Sequence, residues 1–362
     1  MSKTLNSTGY AIYFENSLKE LGRFLQKNSY SKIFFLVDRN TATHCLPLVQ
    51  QELPEVTAFD IIEIEPGEEN KNIDFCIGIW NMLLDFGADR SSLLINLGGG
   101  VVCDMGGFAA STFKRGIDFI QIPTTLLAQV DASVGGKTGI DLNHIKNCIG
   151  TFNQPKAVFI EPRFLTTLDE RQLYSGFAEM LKHGLIADAA YFEEITRLNP
   201  DQIECDHIYR SVQLKNEIVA ADPNEQNLRK TLNFGHTIGH AVESVFLEID
   251  KPLLHGEALA IGMICEAYLA HRINQLSASE LEKICFSLIG LKNLQSISYD
   301  IYIKLIDYMK NDKKNQSGKI GFALLNRIGS CQYDQFVEPN LIIESLDFYQ
   351  REFSQGSKAN QT

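Results

Sequence analysis

Apolar residues recur along the chain in two patterns, one helical and one extended. In the segment 17–27, leucine and phenylalanine have the spacing of one helical face. Ser17 and Glu20 have the spacing of a capping box, which predicts that this helix begins after Ser17. Unbroken apolar runs of strand length follow, typical of strands buried on both faces of a parallel sheet. They occupy residues 33–37, 60–65, 92–100 and 118–125.

Helical periodicity separates these runs, notably over residues 75–86 and 101–111. The alternation of strand and helix predicts a doubly wound α/β domain over residues 1–165. Helical periods then dominate from residue 170 to about residue 310. Residues 166–353 are therefore predicted to form a second, mainly α-helical domain, and the polar segment 354–362 is expected to be a disordered tail.

Composition limits the classes of function. The chain has 362 residues, 44% of them hydrophobic, and a formal net charge of −12, so it offers no general basic field for nucleic acid or an anionic membrane. An anionic ligand would need locally clustered lysine and arginine. The eight cysteines form no CxxC pair, and the polar start "MSKTLNSTGY" is unlike a signal peptide. Reduced cysteines and a cytoplasmic location are expected.

Two glycine-rich motifs lie in the first domain. "NLGGGVVCDMGGF" runs from an apolar strand into a helix, where a diphosphate can meet backbone N–H groups, but Cys103 breaks the GxGxxG pattern and a tight structural turn is an equal reading. "SVGGKTGID" is not a P-loop, because Asp131 stands where its first glycine is required. From the pattern alone, a solvated loop lysine remains the commoner reading of Lys137. Asp38 and the turn "PGEENK" follow strands, where acidic groups either bind a ribose or cap a helix.

Carboxylate and histidine residues in the second domain suggest a metal site. In "GFAEMLKHG", Glu179 and Lys182 share a helical face, either as an exposed ion pair or as a buried carboxylate that needs a cation. His236, His240 and His255 lie within twenty residues beside glycine and apolar neighbours. Two histidines and a carboxylate would leave one coordination position open, as in catalytic zinc sites. Spacing alone does not say which histidines bind.

The motifs taken together resemble the 3-dehydroquinate synthase family. The likeness runs in order from about residue 9 to 330, through "LGGGVVCDMGGFAASTFKRGIDFIQIPTTLLAQVDASVGGKTGID", "KNCIGTFNQP", "GFAEMLKHGLI", "LRKTLNFGHTIGHAVES" and "LHGEALAIGM"; Cys103, Met105 and His183 are local departures. The resemblance implies an N-terminal Rossmann-like NAD-binding domain, a C-terminal α-helical domain and an active site in the cleft between them. It also implies that Glu179, His236 and His255 bind the metal, while His240 faces the substrate.

The same resemblance assigns the remaining contacts. The NAD contacts it implies are Asp38, Glu68, Lys71, Gly100, Val101, Val102, Cys103, Asp104, Thr124, Thr125, Lys137, Lys146, Phe164, Leu165, Thr166 and Thr167. The substrate and catalytic contacts it implies are Arg115, Lys137, Asn147, Lys182, Lys215, Arg229, Asn233, His240 and, in preference to Lys314, Lys313.

The activity implied by the resemblance is the conversion of 3-deoxy-D-arabino-heptulosonate 7-phosphate into 3-dehydroquinate and phosphate, the second step of the shikimate pathway. Its cofactors would be NAD⁺ and Zn²⁺ or Co²⁺, and relatives are commonly homodimers. The alternatives are another sugar phosphate cyclase, a metal-dependent NAD polyol or glycerol phosphate dehydrogenase, and a non-catalytic binding protein.

Overall fold

A computed structural model describes residues 3–142, 145–310 and 319–359. It contains two compact units. The first runs to Asp169 and also includes Glu204–Asn216; the second comprises Glu170–Ile203 and the chain from Glu217 onward. The sequence placed the boundary a few residues earlier, after residue 165, and did not anticipate that residues 204–216 belong with the first unit. None of the described helices is long and apolar enough to cross a membrane.

The first unit is built on a seven-stranded sheet. Among its described residues, the unit has the strands β1 (Thr4–Asn6), β2 (Ala11–Tyr13), β3 (Ile33–Asp38), β4 (Asp60–Ile64), β5 (Leu93–Gly98), β6 (Asp118–Pro123), β7 (Lys137–Leu142), β8 (Ile145–Phe152) and β9 (Ala157–Phe159). The sheet has the order β1-β2-β9-β6-β5-β3-β4, and only the β1–β2 pair is antiparallel. Strands β7 and β8 form a separate antiparallel hairpin.

Helices cover both faces of this sheet. They are α1 (Ser17–Lys27), α2 (Arg39–His44), α3 (Leu46–Glu52), α4 (Ile73–Asp85) and α5 (Gly100–Thr112). Alternate residues of β3 and β5 enter two separate apolar clusters, one with α4 and α5 and the other with α1 and α3. Burial on both faces explains why the apolar runs are unbroken, and the predicted doubly wound α/β fold is confirmed.

The start of α1 differs from the expected capping box. Asn16, with φ 53°, is the N-cap residue, and Ser17 is the first helical residue. Ser17 is fully buried, and its hydroxyl donates to the Glu161 carboxylate over 3.3 Å. The Ser17 hydroxyl therefore serves a tertiary contact, which a local sequence pattern does not reveal.

The second unit is mainly helical, as predicted. Its helices are α6 (Glu170–Ala187), α7 (Ala189–Ile195), the C-terminal part of α8 (Cys205–Ala221), α9 (His236–Glu248), α10 (His255–Arg272), α11 (Ala278–Ile289), α12 (Tyr302–Lys310) and α13 (Pro339–Ala359). Strands β10 (Gly321–Arg327) and β11 (Ser330–Phe336) form an antiparallel hairpin beside them. Helix α13 continues into the segment that was expected to be a disordered tail.

Helices α9 and α10 approach each other unusually closely through glycine. A Cβ atom on Gly262 would lie 1.9 Å from the carbonyl oxygen of Gly235, and one on Gly239 would lie 3.1 Å from the carbonyl oxygen of Ala258. Gly235 itself has φ 80°, which suits glycine before the first turn of α9. The backbones are thus in contact near the start of α9.

All eight cysteines are free thiols. Five of them are buried.

Candidate functional site

Three predicted metal ligands meet within the second unit. Glu179 lies on α6, His236 is the first residue of α9 and His255 is the first residue of α10. One ligand atom from each lies within 4.8 Å of the other two. Glu179 Oε1 is 3.2 Å from His255 Nε2 and 3.6 Å from His236 Nε2, so both rings direct the same nitrogen at one carboxylate oxygen.

The second nitrogen of each ring has its own partner. His255 Nδ1 is 3.4 Å from Glu243 Oε2, and His236 Nδ1 is 3.2 Å from the carbonyl oxygen of Phe234. Partners of this kind fix the orientation of metal-binding histidines. Burial lowers the pKa of His255, but its hydrogen bonds to Glu179 and Glu243 outweigh burial and raise that pKa to about 10. Glu243, which precedes His255 by twelve residues, was not among the predicted site residues.

His240 lies beside this cluster without joining the donor group. Its ring centroid is 5.0 Å from that of His236 and 5.9 Å from that of His255. One turn of α9 therefore separates a residue inside the donor group from a residue at its side. The role of His240 as a substrate contact stays a prediction.

The ion pair of Glu179 and Lys182 is buried, so the reading of an exposed surface pair is wrong. Both side chains are at most 1% exposed, and Lys182 Nζ lies 2.5 Å from Glu179 Oε2. His183, also buried, has Nε2 3.9 Å from the same oxygen. A buried carboxylate next to two imidazole nitrogens suits Zn²⁺ or Co²⁺, and three protein donors leave a coordination position open. The residues present fit a catalytic metal.

Two predicted substrate residues lie in and beside the turn that follows α8. Arg229 is 1% exposed, its backbone N–H donates to Asp222 Oδ2 over 3.1 Å, and its guanidinium donates to the carbonyl oxygen of Pro223 over 2.6 Å. Asn233 donates to Glu225 Oε1 over 2.9 Å. The two acidic residues that hold these predicted substrate contacts, Asp222 and Glu225, were not among the predicted site residues.

In the first unit, the glycine-rich motif forms the turn between β5 and α5. Gly99 is the N-cap residue, and a Cβ on it would lie 3.0 Å from Thr125 Cγ2. Cys103 is buried, and its carbonyl oxygen accepts a hydrogen bond of 3.0 Å from Gln121 Nε2. One turn later α5 packs tightly against the sheet, because a Cβ on Gly106 would lie 2.1 Å from Asn96 Oδ1. In the GxGxxG pattern the third glycine lets the helix pack closely on the sheet; here Cys103 stands at that position, and Gly106 permits the close packing instead.

A network of charges around two buried lysines joins several predicted NAD contacts. Lys71 is 4% exposed, and its Nζ lies 2.6 Å from both Asp104 Oδ2 and Asn147 Oδ1. Lys146 Nζ lies 2.7 Å from Glu68 Oε1. Burial lowers the pKa of Lys71, but the surrounding carboxylates outweigh it and raise that pKa; burial also raises the pKa of Asp104. The β7–β8 hairpin supplies Lys146 and Asn147, and it was not predicted as a hairpin.

The other predicted residues occupy varied positions. The Asp38 carboxylate accepts the N–H of Thr41 over 2.8 Å, so Asp38 caps α2, which was one of its two predicted roles. Lys215 donates to the carbonyl and carboxylate oxygens of Asp131, over 2.6 and 2.7 Å. Arg115 is exposed, with φ 71°. Thr124 is buried, and the hydroxyl of Thr125 accepts the backbone N–H of Ala128 over 3.1 Å. Lys137 is the first residue of β7. One 3₁₀ helix contains Phe164, Leu165, Thr166 and Thr167. Lys313 and Lys314 lie outside the described residues.

Fold comparison places the chain with the sugar phosphate cyclases. It superimposes on 2-epi-5-epi-valiolone synthase from Streptomyces hygroscopicus, a structure with NAD⁺ and Zn²⁺ bound, with a TM-score of 0.85 and 26% identity over 97% of this chain and 99% of the other.

Sequence comparison identifies the family within this class. Models of the N-terminal and C-terminal parts of 3-dehydroquinate synthase match residues 61–175 and 176–315. The 3-dehydroquinate synthase of Parabacteroides distasonis is 44% identical over 92% of this chain and 96% of its own length. That of Thermoanaerobacter pseudethanolicus is 40% identical over 93% and 97%. The chain belongs to the 3-dehydroquinate synthase family, which confirms the resemblance seen in its motifs.

Proposed function

We propose that the chain converts 3-deoxy-D-arabino-heptulosonate 7-phosphate into 3-dehydroquinate and phosphate, with NAD⁺ and Zn²⁺ or Co²⁺ as cofactors. The observation that carries the proposal is the convergence of Glu179, His236 and His255 on one point in a chain of this family. When bound, NAD⁺ would oxidise a substrate hydroxyl group transiently, and the metal would polarise the oxygen at that carbon.

The chain's own residues would supply binding and orientation around that chemistry. Glu179, His236 and His255 would hold the metal, and His240, beside them on α9, would contact the substrate. The substrate carries a phosphate and a carboxylate, while the protein has a formal net charge of −12. Lys182, Arg229 and Asn233 would meet these anionic and hydroxyl groups, together with Arg115, Lys137, Asn147, Lys215 and Lys313. Local cations are needed because the overall field of the protein repels anions.

The first unit would bind the dinucleotide. The N-terminus of α5 and the turn at Gly99 and Gly100 offer backbone N–H groups for the diphosphate. Lys71 already binds both Asp104 and, in the β7–β8 hairpin, Asn147. Lys71 and Asp104 would therefore hold the shape of the pocket as well as contact NAD⁺.

The experiment is a phosphate-release assay with the purified chain, NAD⁺ and Zn²⁺. Phosphate should appear from the heptulosonate phosphate, should require both cofactors, and should stop after metal removal by a chelator and resume when Zn²⁺ is restored. A seven-carbon sugar phosphate without the carboxylate is the matched control, since a cyclase of the valiolone type would prefer it. Faster turnover of that control would assign the chain to another cyclase activity.

The expected homodimer and the expected cytoplasmic location stay predictions.

A further inference from the structure

A buried carboxylate on α10 accepts the backbone N–H groups that begin α9. Glu266 is 0% exposed. Its Oε2 accepts the N–H of Gly235 over 2.7 Å, and its Oε1 accepts those of Thr237 and Ile238 over 3.0 and 3.2 Å. The N-cap residue of α9 is Gly235, which has no side chain that can cap the helix. Glu266 takes over that task from 28 to 31 residues further along the chain.

This arrangement stabilises the carboxylate and the helix together. The first N–H groups of a helix have no partner within the helix, and the helix dipole is positive at this end. A buried carboxylate is costly unless its oxygens are bonded, and three N–H donors meet that requirement here. Glu266 is therefore tied to one particular position of the first turn of α9.

That first turn carries a proposed metal ligand. His236 lies between Gly235 and Thr237, whose N–H groups bind opposite oxygens of the Glu266 carboxylate. One turn before Glu266 on α10, Gly262 lets the two backbones touch, because its missing Cβ would lie 1.9 Å from the carbonyl oxygen of Gly235. The start of α9 is thus held at two successive turns of α10, the helix that begins with His255.

We propose that Glu266 is a positioning residue for the metal ligand His236. It would set the distance of the His236 ring from His255 and Glu179 by fixing the first turn of α9 against α10. The inference rests on the proposed metal site, but the role it gives to Glu266 goes beyond the ligands themselves. A carboxylate that merely stabilised the fold would leave metal affinity unchanged in the folded protein.

The test is a Co²⁺ titration of Glu266→Gln, followed by the visible absorption of the bound ion and by chelator competition. Glutamine keeps the shape but places an NH₂ donor where one carboxylate oxygen accepts a backbone N–H, so one bond becomes a donor–donor contact. Co²⁺ affinity should fall about 10- to 100-fold, the range seen when a residue that orients a ligand is lost. The absorption spectrum should also change, because the His236 ring moves.

Glu280→Gln is the matched control. Glu280 also accepts two backbone N–H groups in the second unit, from Ser277 over 3.2 Å and Ile328 over 3.0 Å, and it caps α11. Its substitution should lower the melting temperature and leave Co²⁺ affinity unchanged. Equal Co²⁺ affinities for wild type and Glu266→Gln would overturn the proposal, as would equal losses in both variants.

A second variant covers the case in which Glu266→Gln does not fold. Glu266→Asp keeps the charge on a shorter side chain, and it should weaken Co²⁺ binding by a smaller factor while circular dichroism stays like that of wild type. Wild-type affinity combined with a lower melting temperature would assign Glu266 to stability alone. Failure of the wild-type protein to bind Co²⁺ would instead reject the proposed function, so the two failures are distinguishable.

Discussion

The two histidines at the start of α9 should respond differently to truncation. His236→Ala removes a ring whose Nε2 lies 3.6 Å from Glu179 Oε1, inside the donor group. His240→Ala removes a ring from the same helix, one turn further on and outside that group. We expect His236→Ala to lose metal and turnover together, and His240→Ala to retain the metal while losing turnover.

The size of the effect follows from the number of ligands. Structural zinc sites with four protein ligands have apparent binding free energies of about 10–16 kcal/mol, or roughly 2.5–4 kcal/mol for each ligand. Since about 1.4 kcal/mol is a factor of ten, His236→Ala should weaken metal binding about 100- to 1,000-fold. His240→Ala should change it by less than about tenfold, because no coordination bond is lost. Its turnover should fall about 100- to 10,000-fold if the ring transfers a proton.

Metal content after dialysis against a weak chelator, measured on the same samples as phosphate release, gives both quantities. The two variants serve as controls for each other because each replaces a histidine of α9 by alanine. Equal metal loss in both, or metal retention in His236→Ala, would refute the assignment of ligands.

Three further predictions concern the surroundings of the sites. Burial raises the pKa of the Asp222 carboxyl, but three backbone N–H donors outweigh burial and hold that pKa below its ordinary value. The contribution of the ionised carboxylate to the free energy of unfolding is therefore present above about pH 4 and is lost as the pH falls through the lowered pKa. Asp222→Asn should cost about 1–2 kcal/mol of unfolding free energy at pH 7, and thermal unfolding at a series of pH values should show the difference shrinking in acid. Gly262→Ala should lower the free energy of unfolding by at least about 3 kcal/mol and weaken metal binding, because the added methyl group would meet a backbone carbonyl. In the control Gly78→Ala, the methyl group would meet no atom within 4 Å, and the substitution should stabilise α4 slightly. Lys71→Met should lower the free energy of unfolding, measured by chemical denaturation, by about 3 kcal/mol, because Asp104 loses its buried cation. The same substitution should weaken NAD⁺ binding.

Each of these has a contradicting outcome. If the difference in unfolding free energy between wild type and Asp222→Asn stayed constant from pH 7 to pH 2, the Asp222 carboxylate would not accept the three backbone N–H groups as described. Equal stability of Gly262→Ala and Gly78→Ala would contradict the close helix contact. An unchanged unfolding free energy in Lys71→Met would mean that the buried charge network contributes nothing net.

The α/β unit was predictable because burial on both faces leaves a local signature. Strands such as β5 are apolar at every position, and the helices between them keep their own period. The capping of α1 was not predictable in the same way. The Ser17 hydroxyl binds Glu161, which is 144 residues away, and no local pattern encodes that partner.

The predicted metal site likewise combines features that the sequence indicated with contacts between distant residues that it did not. The types and spacing of Glu179, His236 and His255 indicated a metal, and the family resemblance chose among the histidines. The carboxylates that bond to His255 and to the first turn of α9 could not be predicted, because Glu243 and Glu266 lie on other turns and other helices. Such contacts depend on the close packing of α9 and α10, which the sequence records only as isolated glycines.

With NAD⁺ bound as proposed, the cofactor would act catalytically, so that each turnover would release phosphate without net oxidation of the substrate. The direct measurement is the ratio of phosphate to NADH, followed by phosphate detection and absorbance at 340 nm in one reaction with the heptulosonate phosphate, NAD⁺ and Zn²⁺. We predict many phosphates released for each NAD⁺ supplied and no accumulating NADH. One NADH accumulating for each substrate consumed would contradict the account and indicate a dehydrogenase.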